Sequence, residues 1–150
     1  MKNTVDLVAL LKPLFHAYDV AMKPASENSL DLFRARATEY RVSHEVVTQL
    51  VDFYSVVNGV PCLNSLDIHR CDDLIIFEWW DQQELWLGQR DFYTLRWSSS
   101  RSRFCIGDAS NVSFSPGDEY GTFTEALRHM VKLHETPEST YCLELLPEKR

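Results

Sequence analysis

The chain has 150 residues, of which 45% are hydrophobic and 25% are charged, and its formal net charge is −7. This length suits one ordinary domain with a sizeable core, and the composition excludes a largely disordered chain. The negative charge disfavours nucleic acid as a partner, because a phosphate backbone repels it, and favours a basic protein. No apolar stretch reaches the roughly 20 residues that span a bilayer, so we expect no membrane insertion.

The N-terminus and the cysteines predict a cytoplasmic protein with reduced thiols. The first apolar run is interrupted by Asp6, Lys12 and Pro13, and it lacks the layout of a signal peptide. The cysteines contain no Cys-x-x-Cys pair, so we expect neither a disulfide nor a zinc site. They are Cys62, Cys71, Cys105 and Cys142.

Apolar residues at helical spacing predict three helices in the N-terminal third of the chain. The first contains Pro13, where we expect a kink or a break. A loop at 24–29 separates it from a short second helix. The third helix has Ser43 as its N-cap and ends at an Asn-Gly pair, whose Gly59 should adopt a positive φ.

From Leu66 onwards the apolar pattern changes to a period of two, which predicts β-strands. The run 74–77 is continuously apolar, which predicts a strand covered on both faces. Alternation predicts the further strands, and the short polar breaks between them indicate antiparallel hairpins. The alternating apolar residues are Leu85, Leu87, Tyr93, Leu95, Trp97, Phe104, Ile106, Val112 and Phe114.

The C-terminal third predicts one more helix, because Thr122 and Glu125 form a capping box. Residues 141–146 can add an edge strand after it. No linker or repeat divides the chain, so residues 1–150 are predicted to form a single domain. The predicted fold class is α+β, an antiparallel meander of about five or six strands with the helices packed on its apolar face.

Candidate catalytic and metal-binding residues are weakly supported, and we predict a protein without a catalytic site, a metal or a cofactor. Cys62, His69 and Cys71 lack the tight spacing and the fourth ligand that are typical of a zinc site. The acidic pairs Asp72-Asp73 and Asp118-Glu119 could act as acid and base only if burial separated their pKa values. A small hydrolase or metal enzyme stays open as an alternative function.

An acidic segment rich in tryptophan predicts a surface that binds a protein partner. In a strand, adjacent side chains point to opposite faces, so one ring of Trp79 and Trp80 should point away from the core. We expect a Phe77–Leu87 hairpin to present this ring, among carboxylates, to a basic protein. The predicted contact residues are Asp72, Asp73, Glu78, Trp79, Trp80, Asp81, Glu84 and Trp86, followed by Asp118 and Glu119.

Three segments resemble the SUKH superfamily, over residues 43–133. LVDFYSVVNGVPCL resembles its helix that ends in Asn-Gly, DLIIFEWWDQQELWLG its hydrophobic strand and hairpin, and NVSFSPGDEYGTFTEALRHMVKL its closing strand and helix. The resemblance implies a SUKH-like fold and a bacterial immunity protein that neutralises a secreted toxin by direct binding, and the negative charge of the chain favours a basic toxin. The same superfamily includes adaptors and regulators of the Syd and cell-wall-regulator types, which give the alternative function.

Overall fold

The computed structural model describes residues 2–108 and 119–132, with the side chains of residues 5–107 and 119–132. The α-helices in this part of the chain are α1 (Lys2–Ala17), α2 (Glu27–Glu39), α3 (His44–Tyr54) and α4 (Phe123–Val131). Two short 3₁₀ helices are η1 (Leu74–Phe77) and η2 (Trp80–Gln82). The strands are β1 (Val60–Leu63), β2 (Leu66–Ile68), β3 (Glu84–Arg90), β4 (Tyr93–Ser98), β5 (Arg103–Asp108) and β6 (Glu119–Tyr120).

The strands form one antiparallel meander in the order β1-β2-β3-β4-β5-β6. This arrangement, with the helices, confirms the predicted α+β fold class. The register follows the apolar alternation, because Leu85 lies opposite Trp97 and Leu95 lies opposite Ile106. Apolar side chains of neighbouring strands therefore share one face of the sheet.

This apolar face and the helices enclose a core of large side chains. Phe123 of α4 lies with its ring centroid 4.8 Å from that of Phe53 in α3 and 5.7 Å from that of Phe104 in β5. Arg90 of β3 donates a hydrogen bond from Nη1 to the carbonyl oxygen of Met130 at 2.6 Å. Its guanidinium thus meets the negative end of α4, which ties the last helix to the sheet.

The second face of the sheet is polar, yet it is also buried. Thr94, Arg96 and Ser98 alternate with the core residues of β4, and all three are buried. An antiparallel sheet with one solvated face would leave such residues in water. Their polar atoms therefore have to find partners within the protein.

The first two helices differ from the prediction at one point each. α1 continues through Pro13, so the helix does not break there, and the kink that was the other expectation stays a prediction. Leu11 and Phe15, on either side of the proline, are buried and hold the helix against the core. α2 begins at Glu27, inside the predicted loop 24–29. Ser26 caps this start, because its Oγ accepts a hydrogen bond from the Ser29 amide at 3.1 Å.

The third helix begins after Ser43, as predicted, although the Ser43 side chain makes no cap hydrogen bond. It ends at Tyr54, so the predicted end at the Asn-Gly pair is wrong. The positive φ of Gly59 is confirmed at +90°. A side chain would not fit there either, because a Cβ on Gly59 would lie 2.6 Å from the carbonyl oxygen of Ile68.

The predicted strand at 74–77 is wrong, since this segment is the 3₁₀ helix η1. Asp73 Oδ1 accepts a hydrogen bond from the Ile75 amide at 3.0 Å, and this cap starts a helical turn in place of a strand. The tryptophan pair follows at the start of η2. The predicted Phe77–Leu87 hairpin is therefore wrong as well, and strand pairing begins only in β3.

The later strands agree better with the prediction. β3, β4 and β5 are confirmed as antiparallel neighbours, whereas β1 and β6 were not predicted. The predicted strands at 112–114 and 141–146 lie outside the described residues, and the single domain over 1–150 stays a prediction. In the described part of the chain, no helix combines the length and the apolar character that crossing a membrane requires.

Candidate functional site

Trp79, Trp86 and Arg96 form a stack on the polar face of the sheet, which we call the tryptophan–arginine cluster. The two indole rings are stacked with centroids 4.2 Å apart, and Cζ of Arg96 lies 4.3 Å from the centroid of the Trp79 ring. β3 and β4 bring Trp86 and Arg96 together as cross-strand partners. A cation held over an indole face away from water stabilises the fold.

Arg96 also binds Glu84, which was predicted to contact a partner. Arg96 Nη1 donates to Glu84 Oε1 at 2.8 Å, and Arg96 Nε donates to Thr94 Oγ1 at 2.9 Å. The side chain of Arg96 is 2% exposed and that of Glu84 is 13% exposed. Glu84 is therefore the counterion of Arg96, and the structure places it with the half-buried Trp79 and Trp86 in one cluster.

Two further predicted contact residues are engaged within the chain. Glu119 forms an ion pair with Arg101. Asp72 accepts hydrogen bonds of 3.1 Å from Nε and Nη2 of Arg70, and these bonds hold the pKa of the Asp72 carboxyl below its ordinary value. Asp118 lies outside the described residues.

The remaining predicted contact residues form an exposed acidic surface around η1 and η2. Asp73, Glu78 and Asp81 are exposed, and Trp80 is half-buried against the core. Leu74, which opens η1, is 59% exposed. The two adjacent tryptophans do point in different directions. They do so because they lie at the start of a helical turn, and not because side chains alternate along a strand.

Helix α2 supplies a further apolar side chain to this surface. Ser29 Oγ donates to the Asp72 carboxylate at 3.4 Å, and Arg36 Nη1 donates to the Asp72 carbonyl at 2.9 Å. Leu32 stands between these two residues at helical spacing, so it shares the face of α2 that lies along the segment 72–74. Leu32 is exposed there.

Tyr40, which follows α2, lies on the same surface. Its ring stacks on Phe77 with a centroid distance of 4.9 Å and meets Trp80 edge-on at 6.5 Å. Sequence reasoning missed Tyr40, Leu74 and Leu32, although Leu32 lies off the buried stripe of α2. We call the whole set the acidic docking surface: Leu32, Tyr40, Asp73, Leu74, Glu78, Trp80 and Asp81.

A cleft of about 580 Å³ opens beside this surface, where the loop before α2 meets β1 and β2. His69 lines it, is only 8% exposed, and packs edge-on against Trp86 at 5.0 Å between ring centroids. Its Nε2 has no hydrogen-bond partner among the described residues. Burial lowers the pKa of His69, while the negative charges of Asp67 and Asp73 act in the opposite direction.

The described cysteines are either buried or exposed. Cys71 and Cys105 are buried free thiols, and burial raises the pKa of each to about 11, so both are protonated at neutral pH. Cys62 is exposed, and Cys142 lies outside the described residues. In residues 2–108 and 119–132, no three metal-ligating side chains form a group that could hold an ion.

Comparison with known proteins identifies no relative of this chain. No protein-family model, no curated protein sequence and no solved structure matches the chain. The resemblance to the SUKH superfamily therefore stays a prediction from the quoted segments.

Proposed function

We propose that this protein is a non-enzymatic immunity protein that binds and neutralises a secreted toxin domain in the cytoplasm. One observation carries the proposal: exposed apolar side chains stand among exposed carboxylates on the acidic docking surface. A basic protein suits such a surface. The net charge of −7 and the SUKH resemblance favour the same class of partner.

Leu32, Leu74 and Tyr40 would supply the apolar part of the contact. Leu74 belongs to a helical turn whose residues Ile76 and Phe77 are buried, yet it faces outward itself. Large exposed apolar side chains are typical of protein-binding surfaces. A partner that covers them removes apolar area from water, which stabilises the complex.

The carboxylates of Asp73, Glu78 and Asp81 would select the partner by charge. Two arginines lie nearby: Arg70 is paired with the carboxylate of Asp72, whereas Arg36 donates to the Asp72 carbonyl and keeps its charge, which three carboxylates outnumber. The charge exposed next to Leu74 is therefore predominantly negative. Opposite charge on the partner speeds the encounter, and like charge excludes acidic competitors.

An adaptor or regulator of the Syd or cell-wall-regulator type is the alternative, and it would use the same surface. The two functions differ in the origin of the partner. An immunity protein protects its own cell from a toxin that is encoded beside it, whereas an adaptor binds a housekeeping protein of the cell.

Co-expression with the toxin domain encoded next to the gene tests the proposal. We expect the protein to restore growth and to form a stable complex with the purified domain. Growth that stays inhibited, with no complex between the purified proteins, would reject the immunity function. A complex with a non-toxic cellular protein would support the adaptor instead.

A pair of matched substitutions connects this function to the docking surface. We expect Leu74→Ser to weaken the complex by about 2 kcal/mol, because it removes an apolar anchor without adding a charge. Phe92→Ser is the control, since Phe92 is 79% exposed and follows the opposite end of β3 from the docking surface. Equal effects of the two substitutions would show that the partner binds elsewhere.

A further inference from the structure

Tyr40 and Trp80 form a pair of accessible rings within the docking surface, which we call the aromatic corner. Their ring centroids lie 6.5 Å apart, and the ring planes meet at 67°. Tyr40 stacks on the buried Phe77 with an interplanar angle of 17°, so Phe77 covers one face of the Tyr40 ring. Tyr40 is nevertheless 39% exposed, and Trp80 is only half-buried. A partner can therefore reach both rings.

Two exposed carboxylates flank Trp80 in the chain. Glu78 is the C-cap of η1, and Asp81 follows Trp80 in η2, so each carboxylate lies within two residues of the indole. The face of an aromatic ring attracts a cation through its quadrupole, and a nearby carboxylate adds a charge-assisted hydrogen bond. The rings and the acids together therefore favour a cation over an anion.

Two arginines lie close to Tyr40 in the chain, and the structure directs both of them elsewhere. Arg36, one helical turn before Tyr40, donates from Nη1 to the Asp72 carbonyl oxygen at 2.9 Å. Arg41 lines a groove between α2 and α3, among residues that include neither Tyr40 nor Trp80. These two guanidinium groups therefore leave the aromatic corner to a cation from another molecule.

The tryptophan–arginine cluster shows the same combination of groups inside the protein. Cζ of Arg96 lies 4.3 Å from the centroid of the Trp79 ring, and Arg96 Nη1 donates to Glu84 Oε1 at 2.8 Å. A guanidinium suits such a place, because its planar group stacks on a ring while its N–H groups bond to a carboxylate. The aromatic corner offers rings and carboxylates at the surface, where a guanidinium of the partner can complete the combination.

We infer that the aromatic corner binds an arginine side chain of the protein partner, with the guanidinium against the rings of Tyr40 and Trp80 and its charge balanced by Glu78 and Asp81. Arginine is preferred to lysine, because an ammonium group is more strongly hydrated and has no planar face to stack. This inference rests on the proposed function, because it specifies one side chain of the same basic partner.

Peptides of matched charge test the aromatic corner without any partner. The probes are three acetylated peptides in which three residues, separated by glycines, are all arginine, all lysine or all citrulline, the uncharged analogue of arginine. Binding to the full chain is followed at low salt by the indole N–H NMR signal of Trp80. We expect the arginine peptide to bind about threefold more tightly than the lysine peptide, and the citrulline peptide not to bind. Equal affinities of the arginine and lysine peptides, or binding of the citrulline peptide as tight as that of the arginine peptide, would overturn the inference.

Substitutions at Tyr40 assign the preference for arginine to the aromatic corner. Tyr40→Leu removes the ring and keeps an apolar side chain, whereas Tyr40→Phe keeps the ring. We expect Tyr40→Leu to bind the arginine peptide about threefold more weakly and to lose the preference over lysine, with Tyr40→Phe close to the parent. Phe92→Leu removes an exposed ring outside the docking surface and should keep the preference. A preference that survives in Tyr40→Leu, or that disappears in Phe92→Leu, would contradict the inference.

The outcomes separate the aromatic corner from the proposed function. A preference for the arginine peptide that depends on Tyr40, without any protection from the toxin, would support the corner as an arginine site and reject the immunity function. Protection from the toxin, with equal affinities for the arginine and lysine peptides and an unchanged complex in Tyr40→Leu, would keep the immunity function and reject the corner as an arginine site.

Discussion

At the scale of single residues, Gly59 is the position at which the backbone most restricts which amino acid can stand there. Its φ of +90° strains any other residue, and a Cβ there would lie 2.6 Å from a backbone oxygen of β2. We expect Gly59→Val to lower the free energy of unfolding by about 2 kcal/mol or more, measured by chemical denaturation. Gly121→Ala is the control, because the nearest atom to its Cβ lies 3.9 Å away. Equal stability of the two variants would contradict this account.

His69 should make stability depend on pH. Burial holds its pKa below the ordinary value of 6.5, so the unfolded chain takes up a proton more readily than the folded protein. The stability that the neutral form of His69 contributes is fully present above about pH 6.5, and it is lost as the pH falls towards the lower pKa of His69 in the folded protein. His69→Phe keeps an aromatic ring against Trp86 and cannot titrate. We therefore expect the free energy of unfolding of the parent to fall relative to that of His69→Phe on acidification. A difference that does not change with pH would reject a buried neutral His69.

At the scale of elements, the ion pair between Glu84 of β3 and Arg96 of β4 explains why Glu84, a predicted contact residue, is unsuitable for a binding test. Glu84→Gln leaves the buried guanidinium of Arg96 without its carboxylate, so we expect a loss of about 2 kcal/mol in the free energy of unfolding. Glu78→Gln removes an exposed carboxylate of η1's C-cap and should change stability by less than about 0.5 kcal/mol. Denaturation midpoints of both variants measure the difference. Similar midpoints for the two variants would mean that the ion pair between Glu84 and Arg96 contributes little to stability.

The same elements show which parts of the fold could be predicted. Strands β3 to β5 were predictable, because apolar side chains alternate along much of each strand and the breaks between the strands are short. The segment 74–77 was not, since a four-residue apolar run suits a buried strand as well as a helical turn. The preceding Asp73 was the available signal, because aspartate caps helical turns through its own side chain. β1 was missed because its turn, Asn64-Ser65, has two positive φ values without a glycine.

At the scale of the whole molecule, the candidate site could be predicted only in part. The acids and tryptophans are neighbours in sequence, so their concentration was visible. The contribution of α2 was not, because Leu32 and Tyr40 reach this surface only through the packing of the helix beside residues 72–77. The burial of Arg96 was hidden too, since alternation predicts that a charged residue on the second face meets solvent. Tertiary contacts therefore decide which carboxylates remain exposed.

Net charge and local charge make different contributions to binding, and reversal of matched acids can separate them. The net charge of −7 attracts a basic partner to every side of the molecule. The acidic docking surface attracts it to one place, and salt screens such attraction over a Debye length of about 10 Å at 0.1 M. Glu78→Lys with Asp81→Lys changes the docking surface. Glu45→Lys with Asp52→Lys changes two exposed acids of α3 and alters the net charge equally.

We expect the reversal at Glu78 and Asp81 to slow association with the toxin domain more than the reversal at Glu45 and Asp52 does. The difference should be largest at low salt and should shrink as salt is added, because steering acts on the encounter and is screened. Dissociation rates should change less, since the apolar anchors stay in place. Stopped-flow association rates over a series of salt concentrations measure this. Equal slowing by both pairs would mean that only the net charge guides the partner, and the docking surface would then lose its electrostatic role.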